Sequence, residues 1–398
     1  MVSVCFYFQV HQPERIRNYC VFENGENYFF NQKNREILER VSKKCYLPAN
    51  AIMLDLLKKH EKFKISYSLS GVFIDQLEKF APEVIESFQK LTDTGKVEMI
   101  DETYYHSLAF MYSKKEFFEQ VKMHNKKIKE LFGQSPKTFR NTELTYNNEV
   151  ASHAAEMGYK TILAEGADRV LGWRSPDFVY KPVNSDIKLL LKNYRLSDDI
   201  AFRFSNREWK EWPLSAEKFA SWVNEINGNG NTLNLFMDYE TFGEHQWPVT
   251  GIFNFLRALP GEILKHPDND FKTPAEVAQS FDAVGELDVH ETVSWADVER
   301  DLSAWTGNKM QQSAIQKIYE IEEAVRSSKD KTLINDWRKL QTSDHFYYMC
   351  TKWFNDGDVH KYFNPYDSPY DAFINYMNIL NNVIERLEGK KAVAVQKR

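Results

Sequence analysis

The sequence has few cysteines and no long hydrophobic run. The four cysteines among its 398 residues show no CxxC pair and are Cys5, Cys20, Cys45 and Cys350. In a chain of this size they are expected to be free thiols in a reducing compartment. No stretch of about 18 apolar residues occurs, so neither a transmembrane helix nor a membrane partner is expected.

An excess of basic residues is also missing. The formal net charge is −6, and 57 acidic residues are interspersed with 51 basic residues. A nucleic-acid-binding protein would present a basic face, so no nucleic-acid partner is expected. The first residues, MVSVCFYFQVHQPER, contain no basic segment and no small-residue cleavage site. They are typical of a first strand rather than a signal peptide, and we predict a cytoplasmic protein.

Short β-rich runs alternate with helical patterns over the first two thirds of the chain. Such alternation predicts βαβ units and a parallel sheet, and the number of strands fits a barrel better than an open sheet. The predicted strands are Val2–Phe8, Lys64–Leu69, Val97–Ile100, Lys137–Arg140, Thr161–Ala164, Ile187–Leu191 and Leu233–Met237.

Beyond Leu264 the pattern becomes helical, and no clear strand is recognised. Thr273, Pro274 and Glu276 predict a helix that starts with a capping box. Further helices are predicted at Lys309–Ser327, Leu333–Thr342 and Pro369–Leu387. Because no Pro/Gly/Ser-rich linker precedes them, these helices are expected to pack directly on the barrel.

Ionisable residues cluster where the predicted strands end. They are His11 after the first strand, Glu98, Asp101, Glu102 and His106 around the third, Glu143 after the fourth and Asp238 after the seventh. Each has an ordinary structural explanation: His11 as a buried structural histidine, for example, or Glu143 as the cap of a following helix. In parallel barrels, however, the chemistry gathers at the C-terminal ends of the strands, and convergence there favours a catalytic site.

Two carboxylates surrounded by histidines and aromatic residues suit glycoside hydrolysis. One carboxylate attacks the anomeric carbon, and a carboxylic acid about 5–5.5 Å away protonates the leaving oxygen in retaining enzymes. The acid keeps its proton only if burial or a neighbouring negative charge raises its pKa. Asp238 directly follows the apolar run LNLFM and is therefore expected to lie near the core.

Five short motifs carry a family resemblance. FQVHQP, GKVEM, RNTEL, DYETFG and QTSDHFYYM resemble, in this order, the motifs of glycoside hydrolase family 57. ETYYHSL and SWADVERDLSAWTGN are similar to its α-amylase-type branch. The resemblance implies a distorted (β/α)7 barrel over residues 1–265, followed by a C-terminal α-helical segment over residues 266–398 that contributes to the substrate cleft. It also implies cofactor-free, retaining action on an α-glucan or maltooligosaccharide substrate.

The resemblance also implies roles for individual residues. Glu143 matches the family's nucleophile, and Asp238 matches its general acid/base. The predicted substrate-binding residues, with no metal ligand among them, are His11, Glu98, Arg140, His245, Trp247, Trp305, Asp344 and His345. Trp305 and Trp353 are candidates for stacking on glucose rings, although either could belong to the core.

The sequence departs from the glucanotransferase pattern at three positions. Gln9 replaces a histidine, and Arg140 and His245 replace aromatic residues. These changes favour α-amylase-like hydrolysis, but a 4-α-glucanotransferase or branching-type transglycosylase shares the same intermediate and stays open. A non-catalytic glucan-binding protein is another alternative. A metal-dependent deacetylase is disfavoured because the ten histidines show no HxxxH or HExxH spacing. The sequence does not indicate the oligomeric state.

Overall fold

The computed structural model describes residues 2–23, 25–352 and 364–396, with side chains up to residue 389. Its strands are β1 Ser3–Val10, β2 Ile65–Leu69, β3 Val97–Met99, β4 Thr138–Arg140, β5 Thr161–Glu165, β6 Lys181–Pro182, β7 Lys188–Lys192, β8 Thr232–Asp238, β9 Asp270–Phe271 and β10 Glu286–Leu287. The seven strands predicted from the sequence correspond to β1 to β5, β7 and β8.

These seven parallel strands close into a barrel. One sheet has the order β3-β2-β1-β8, and a second has the order β4-β5-β7. A bridge between Asp101 and Phe139 joins β3 to β4. On the other side, the backbone N–H of Asn193 donates to the carbonyl of Asn234 at 2.9 Å, which joins β7 to β8. The predicted distorted (β/α)7 barrel is confirmed, with two seams where few hydrogen bonds form.

The barrel strands are buried on both faces, as expected of parallel strands covered by helices. All eight residues of β1 are buried. Cys5 and Tyr7 belong to the small core inside the barrel, together with Phe236. Val4 and Phe6 belong to the larger core between the strands and the surrounding helices. Alternating side chains therefore fill both layers.

Helices surround the barrel and continue beyond it. The long helix Lys114–Phe132 begins at Ser113, whose side chain accepts a hydrogen bond from the backbone of Glu116, and ends at Gly133 in the left-handed conformation. The other helices are Asn31–Val41, Leu47–Lys59, Gly71–Phe80, Pro82–Thr92, Asn148–Glu156, Asp168–Leu171, Tyr194–Asp198, Ala216–Glu225, Ile252–Ile263, Pro274–Ser280, Ser303–Thr306, Lys309–Glu320, Glu322–Ser327, Lys331–Lys339, Ser343–Tyr347 and Pro369–Gln396. No helix in the described part of the chain is long and apolar enough to cross a membrane.

The chain after residue 265 closes both ends of the barrel. The helix Pro274–Ser280 begins with the predicted capping box of Thr273 and Glu276, and its Val277 joins the core inside the barrel. β9 pairs with β1 and β10 with β6, although the sequence analysis recognised no strand in this region. The later helices share one core with residues of β4 and β5. The predicted domain boundary after residue 265 stays a prediction.

Candidate active site

Glu143 lies at the C-terminal end of β4 in a strained backbone conformation. Its φ is +57°, in the left-handed region that side chains rarely adopt. The indole Nε1 of Trp295 donates to its Oε2 at 2.7 Å, and the hydroxyl of Ser343 donates to its Oε1 at 3.2 Å. Two residues far away in sequence, Trp295 and Ser343, therefore hold this carboxylate.

A chain of hydrogen bonds leads from the barrel interior to Glu143 through His106. Nε2 of His106 lies 3.4 Å from Oε1 of Glu143, and its Nδ1 lies 2.8 Å from Oε2 of Glu102. The amide of Gln9 donates to Oε1 of Glu102 at 2.9 Å, and the hydroxyl of Tyr7 donates to Gln9 at 2.7 Å. His106 thus bridges two carboxylates.

This bridge determines the charges of the groups that it joins. Burial lowers the pKa of His106, but the hydrogen bonds and charges of Glu102 and Glu143 outweigh burial and raise the pKa to about 9. Burial raises the pKa of Glu143, but the hydrogen bond and charge of His106 lower it to about 2. At neutral pH, His106 is therefore an imidazolium and Glu143 a carboxylate.

Asp238, at the end of β8, has the opposite tendency. Burial and then the negative charge of Glu143 raise its pKa to about 6, although Arg140, Lys192 and His106 lower it in part. The pKa of Asp238 thus lies well above that of Glu143, and Asp238 takes up a proton first. A carboxylate nucleophile and a carboxylic acid can coexist in such a site.

Glu240 follows Asp238 by two positions, in the short turn Tyr239–Thr241 after β8. The hydroxyl of Tyr46 donates to its Oε1 at 2.5 Å. Burial and the charge of Asp238 raise the pKa of Glu240 to about 8. A protonated Glu240 adds no negative charge next to Asp238 at neutral pH.

His11 and Asp344 form a hydrogen-bonded pair next to His106. Nε2 of His11 lies 3.0 Å from Oδ2 of Asp344, and its Nδ1 lies 2.6 Å from the hydroxyl of Ser70. The His11 ring stacks on the His106 ring, with centroids 3.9 Å apart. Burial and the charge of His106 lower the pKa of His11. The stacked pair therefore combines a neutral ring with a charged one.

Asp344 joins the helical segment to the barrel. Burial opposes its ionisation, but contact with His11 and the charge of His106 hold the pKa of Asp344 below its usual range. His345 instead points into the helical core, where its Nε2 donates to the carbonyl of Lys339 at 3.2 Å and its ring lies near Tyr376. Burial lowers the pKa of His345 to about 4.

Three other predicted residues lie on the segments that carry the carboxylates. Arg140 is fully buried, its guanidinium carbon lies 4.7 Å from the centre of the Trp295 ring, and its nitrogens have no hydrogen-bond partner. His245 is half-buried on the loop after β8, with its N–H donating to the carbonyl of Glu240 at 2.9 Å. Trp247, on the same loop, is 53% exposed. Sugar binding by these three residues stays a prediction.

Like His345, the predicted residues Glu98 and Trp305 do not lie at the site. Glu98 accepts hydrogen bonds from Thr138, at the start of β4, and from the backbone of Ala275. It therefore faces the N-terminal end of the barrel, away from Glu143. Trp305 is fully buried in the helical core and has no open face for a glucose ring. Trp353 lies outside the described residues.

The structure brings in four residues that the sequence analysis did not assign to the site: Glu102, His106, Trp295 and Ser343. Glu102 and His106 were candidates at the end of the third strand, but the motif comparison selected Glu98 instead. Trp295 and Trp305 lie in one quoted stretch, SWADVERDLSAWTGN, and Ser343 lies in another, QTSDHFYYM. The motifs therefore located the correct segments but not every residue that reaches the site.

Among the described residues, no group of three or more His, Cys, Asp or Glu side chains is arranged to hold a metal ion. A parallel barrel whose strand ends carry two carboxyl groups with pKa values displaced in opposite directions is the arrangement of a glycoside hydrolase.

Comparison with known proteins specifies the family. The family model described as Glycosyl hydrolase family 57 matches residues 5–290, and the chain belongs to this family. The family resemblance read from the motifs and the prediction of a glycoside hydrolase are confirmed. The match also favours this interpretation over the deacetylase alternative.

One relative matches over almost the whole chain. A protein of Methanocaldococcus jannaschii named "Putative alpha-amylase" is 44% identical over 392 residues, which cover 95% of this chain and 83% of the relative. The branching enzyme of Pyrococcus horikoshii has a TM-score of 0.70 at 15% identity, covering 97% of this chain and 94% of that chain. The 4-alpha-glucanotransferase of Thermococcus litoralis has a TM-score of 0.66 at 15% identity, covering 87% and 56%. At these identities the two structures show a shared fold only.

Proposed function

We propose that the chain is a retaining, α-amylase-like glycoside hydrolase that cleaves α-1,4 linkages in α-glucans or maltooligosaccharides. One observation carries the proposal: at the C-terminal ends of β4 and β8, the pKa of Glu143 is lowered to about 2 and that of Asp238 is raised to about 6, so Asp238 is the more readily protonated of the two. The name of the M. jannaschii relative supports an α-glucan substrate. A cytoplasmic location stays a prediction.

In the proposed reaction, Glu143 attacks the anomeric carbon and forms a glycosyl ester. Asp238 gives its proton to the glycosidic oxygen as the bond to the leaving sugar breaks. Asp238, now a carboxylate, then takes a proton from the water that attacks the ester. This second step releases the sugar with its original anomeric configuration and restores both carboxyl groups.

The surrounding residues serve this reaction through charge and position. The imidazolium of His106 lies 3.4 Å from Oε1 of Glu143. Its positive charge stabilises the ionised form of Glu143. Asp344 and His11 lie next to His106 and offer polar atoms that suit the hydroxyl groups of a bound glucose. His245 and Trp247 lie on the loop that follows Asp238 and are suited to bind the neighbouring sugar.

The alternative is a 4-α-glucanotransferase or branching-type transglycosylase. It would use the same glycosyl ester but resolve it with a sugar hydroxyl instead of water. Arg140 and His245 differ from the glucanotransferase pattern, and this difference favours water as the acceptor. A protein that binds glucan without turnover is the remaining alternative.

The test is a product analysis with soluble starch and with maltoheptaose. Hydrolysis predicts shorter oligosaccharides and an equal gain in reducing ends, first released as the α-anomer. Products longer than maltoheptaose, without a gain in reducing ends, would support the transglycosylase. Binding without any new product, in wild type as in Glu143→Gln, would contradict both enzymatic proposals.

A further inference from the structure

Trp295 contacts Glu143 with two different groups. Its indole Nε1 donates to the carboxylate Oε2 at 2.7 Å, and its backbone N–H donates to the Glu143 carbonyl at 3.1 Å. The segment before Trp295 is fixed in turn, because Val293 and Tyr146 form an antiparallel bridge. The main chain and the side chain of Trp295 are therefore both tied to the turn that carries Glu143.

Two cations fix the orientation of the indole ring. The guanidinium carbon of Arg140 lies 4.7 Å from the ring centre, and the ammonium of Lys192 lies 5.5 Å from it. Both distances fall within the range of about 6 Å over which a cation is attracted to an aromatic ring. Arg140 is fully buried without a hydrogen-bond partner. Its contact with the ring therefore contributes to keeping this charge inside the protein, and it keeps the indole in place.

The other carboxylate oxygen of Glu143 contacts residues from two other segments of the chain. Oε1 accepts the hydroxyl of Ser343 at 3.2 Å and lies 3.4 Å from His106. Donors on both oxygens fix the rotation of the carboxylate about its terminal bond. The positive φ of Glu143 persists only where the surroundings determine it strongly, and the Trp295 backbone bond supplies part of that restraint.

We propose that Trp295 is a positioning residue that sets the carboxylate plane of Glu143 for attack on the anomeric carbon. This inference rests on the proposed role of Glu143 as nucleophile. Attack requires one carboxylate oxygen to lie in line with the bond that breaks, and a displacement of about 1 Å costs about 100-fold in rate. Arg140 then acts through the indole, which explains why a buried cation occupies a position where other members have an aromatic residue.

The decisive variant is Trp295→Phe, which removes the indole N–H and retains an aromatic ring. We expect kcat on maltoheptaose to fall by about 100-fold, with KM nearly unchanged. The acidic limb of the pH profile of kcat/KM should move to higher pH, because a hydrogen bond to the charged form of Glu143 is lost.

The chain offers two matched controls. Trp337 donates its indole N–H to the carbonyl of Ile318 at 2.7 Å in the helical core. Trp305 is buried there with an Nε1 that has no hydrogen-bond partner. Trp337→Phe should lower the melting temperature without changing kcat or the pH profile. Trp305→Phe should also leave both kinetic properties unchanged, and it should lower the melting temperature less because no indole hydrogen bond is lost.

A double variant tests whether the two donors act on one group. Ser343→Ala should lower kcat, and adding it to Trp295→Phe should cost less than the product of the two separate losses. Losses that multiply would contradict the inference, as would a Trp295→Phe enzyme that behaves like Trp337→Phe. Either result can occur while Glu143→Gln is inactive, in which case the proposed function stands. An active Glu143→Gln would instead overturn the nucleophile itself.

Discussion

Two glutamates at strand β3 face opposite ends of the barrel and have different partners. Glu98 is half-buried within the strand, and Glu102 is fully buried three residues beyond it. Glu98 accepts from the Thr138 hydroxyl at 2.6 Å and from the Ala275 N–H at 2.9 Å. Glu102 accepts from Gln9 and also pairs with His106. The first glutamate is held by neutral donors, and the second by a group that carries charge.

Their electrostatics differ accordingly. Burial raises the pKa of Glu98, and its hydrogen bonds counteract that only in part. Burial acts in the same direction on Glu102, but the hydrogen bond and charge of His106 lower its pKa to about 2. Burial alone therefore does not distinguish a structural carboxylate from a functional one. The titratable partner His106 distinguishes Glu102 from Glu98. It lies at the C-terminal end of the barrel.

The largest expected effect separates the two ends directly. Glu143→Gln should reduce kcat by more than about 10⁴-fold, as expected for the loss of a covalent nucleophile. Glu98→Gln, at the other end, should leave kcat/KM close to the wild-type value and lower only the melting temperature. The two variants are compared by their kinetic constants on maltoheptaose and by their melting temperatures. A severe loss of kcat in Glu98→Gln would return that residue to the site.

Asp238→Asn should lower activity on unactivated glucan by about 10²–10⁴-fold, because the leaving oxygen no longer receives a proton. The loss should be smaller on aryl maltosides, whose leaving groups need no proton. The measurement is the ratio of the rate loss on glucan to the rate loss on aryl maltosides. If both rates fall equally, Asp238 has another role.

Asp344→Ala tests whether the helical segment belongs to the C-terminal end of the barrel. We expect kcat/KM to fall by about 100-fold through lost positioning, with little change in the melting temperature. Steady-state kinetics and calorimetry measure the two quantities. Near wild-type activity would mean that the contact with His11 has no part in substrate binding.

The pH dependence should report the charge of His106. Wild-type kcat/KM should decline above about pH 6, where Asp238 loses its proton. The positive charge of His106 lowers the pKa of both Glu143 and Asp238, so His106→Gln should move both limbs of the profile to higher pH. Glu98→Gln serves as the control, with both limbs unchanged. Movement of one limb alone would contradict this assignment.

The smallest effect on catalysis is expected for Trp305→Ala. The side chain is fully buried in the helical core, so its loss should cost about 3–5 kcal/mol of unfolding free energy. Activity of the remaining folded protein should be nearly normal. Denaturant unfolding and kinetics on long glucans check the two expectations. Weaker glucan binding without a loss of stability would restore the stacking hypothesis.

Features that follow from local pattern were predictable from the sequence. The strands were recognised from their β-rich runs, and Asp238 from its place at the end of the apolar run that forms β8. Thr273 and Glu276 form the predicted capping box. Glu143 was located by its motif, although nothing in the sequence indicates that its φ is positive.

Other features depend on the direction in which a side chain faces and on contacts between residues far apart in sequence. In the three-residue strand β3, a residue within the strand and one just beyond it face different ends of the barrel, and the motif comparison chose Glu98. Trp295 and Trp305 lie in the same short stretch, but only packing determines which indole reaches Glu143. The bond from Ser343 to Glu143 spans 200 positions, and no local pattern encodes such a contact.

The contact between His11 and Asp344 joins residues 333 positions apart, and this has a consequence for synthesis. A ribosome that has released the first 265 residues has already exposed Glu143 and Asp238. Trp295, Ser343 and Asp344 have then not yet emerged, so the exposed part of the nascent chain carries both carboxylates without the groups that orient them. Contacts of such long range also form slowly during folding. Hydrolytic competence should therefore arise late, after the helical segment has docked, rather than when the barrel strands first pair.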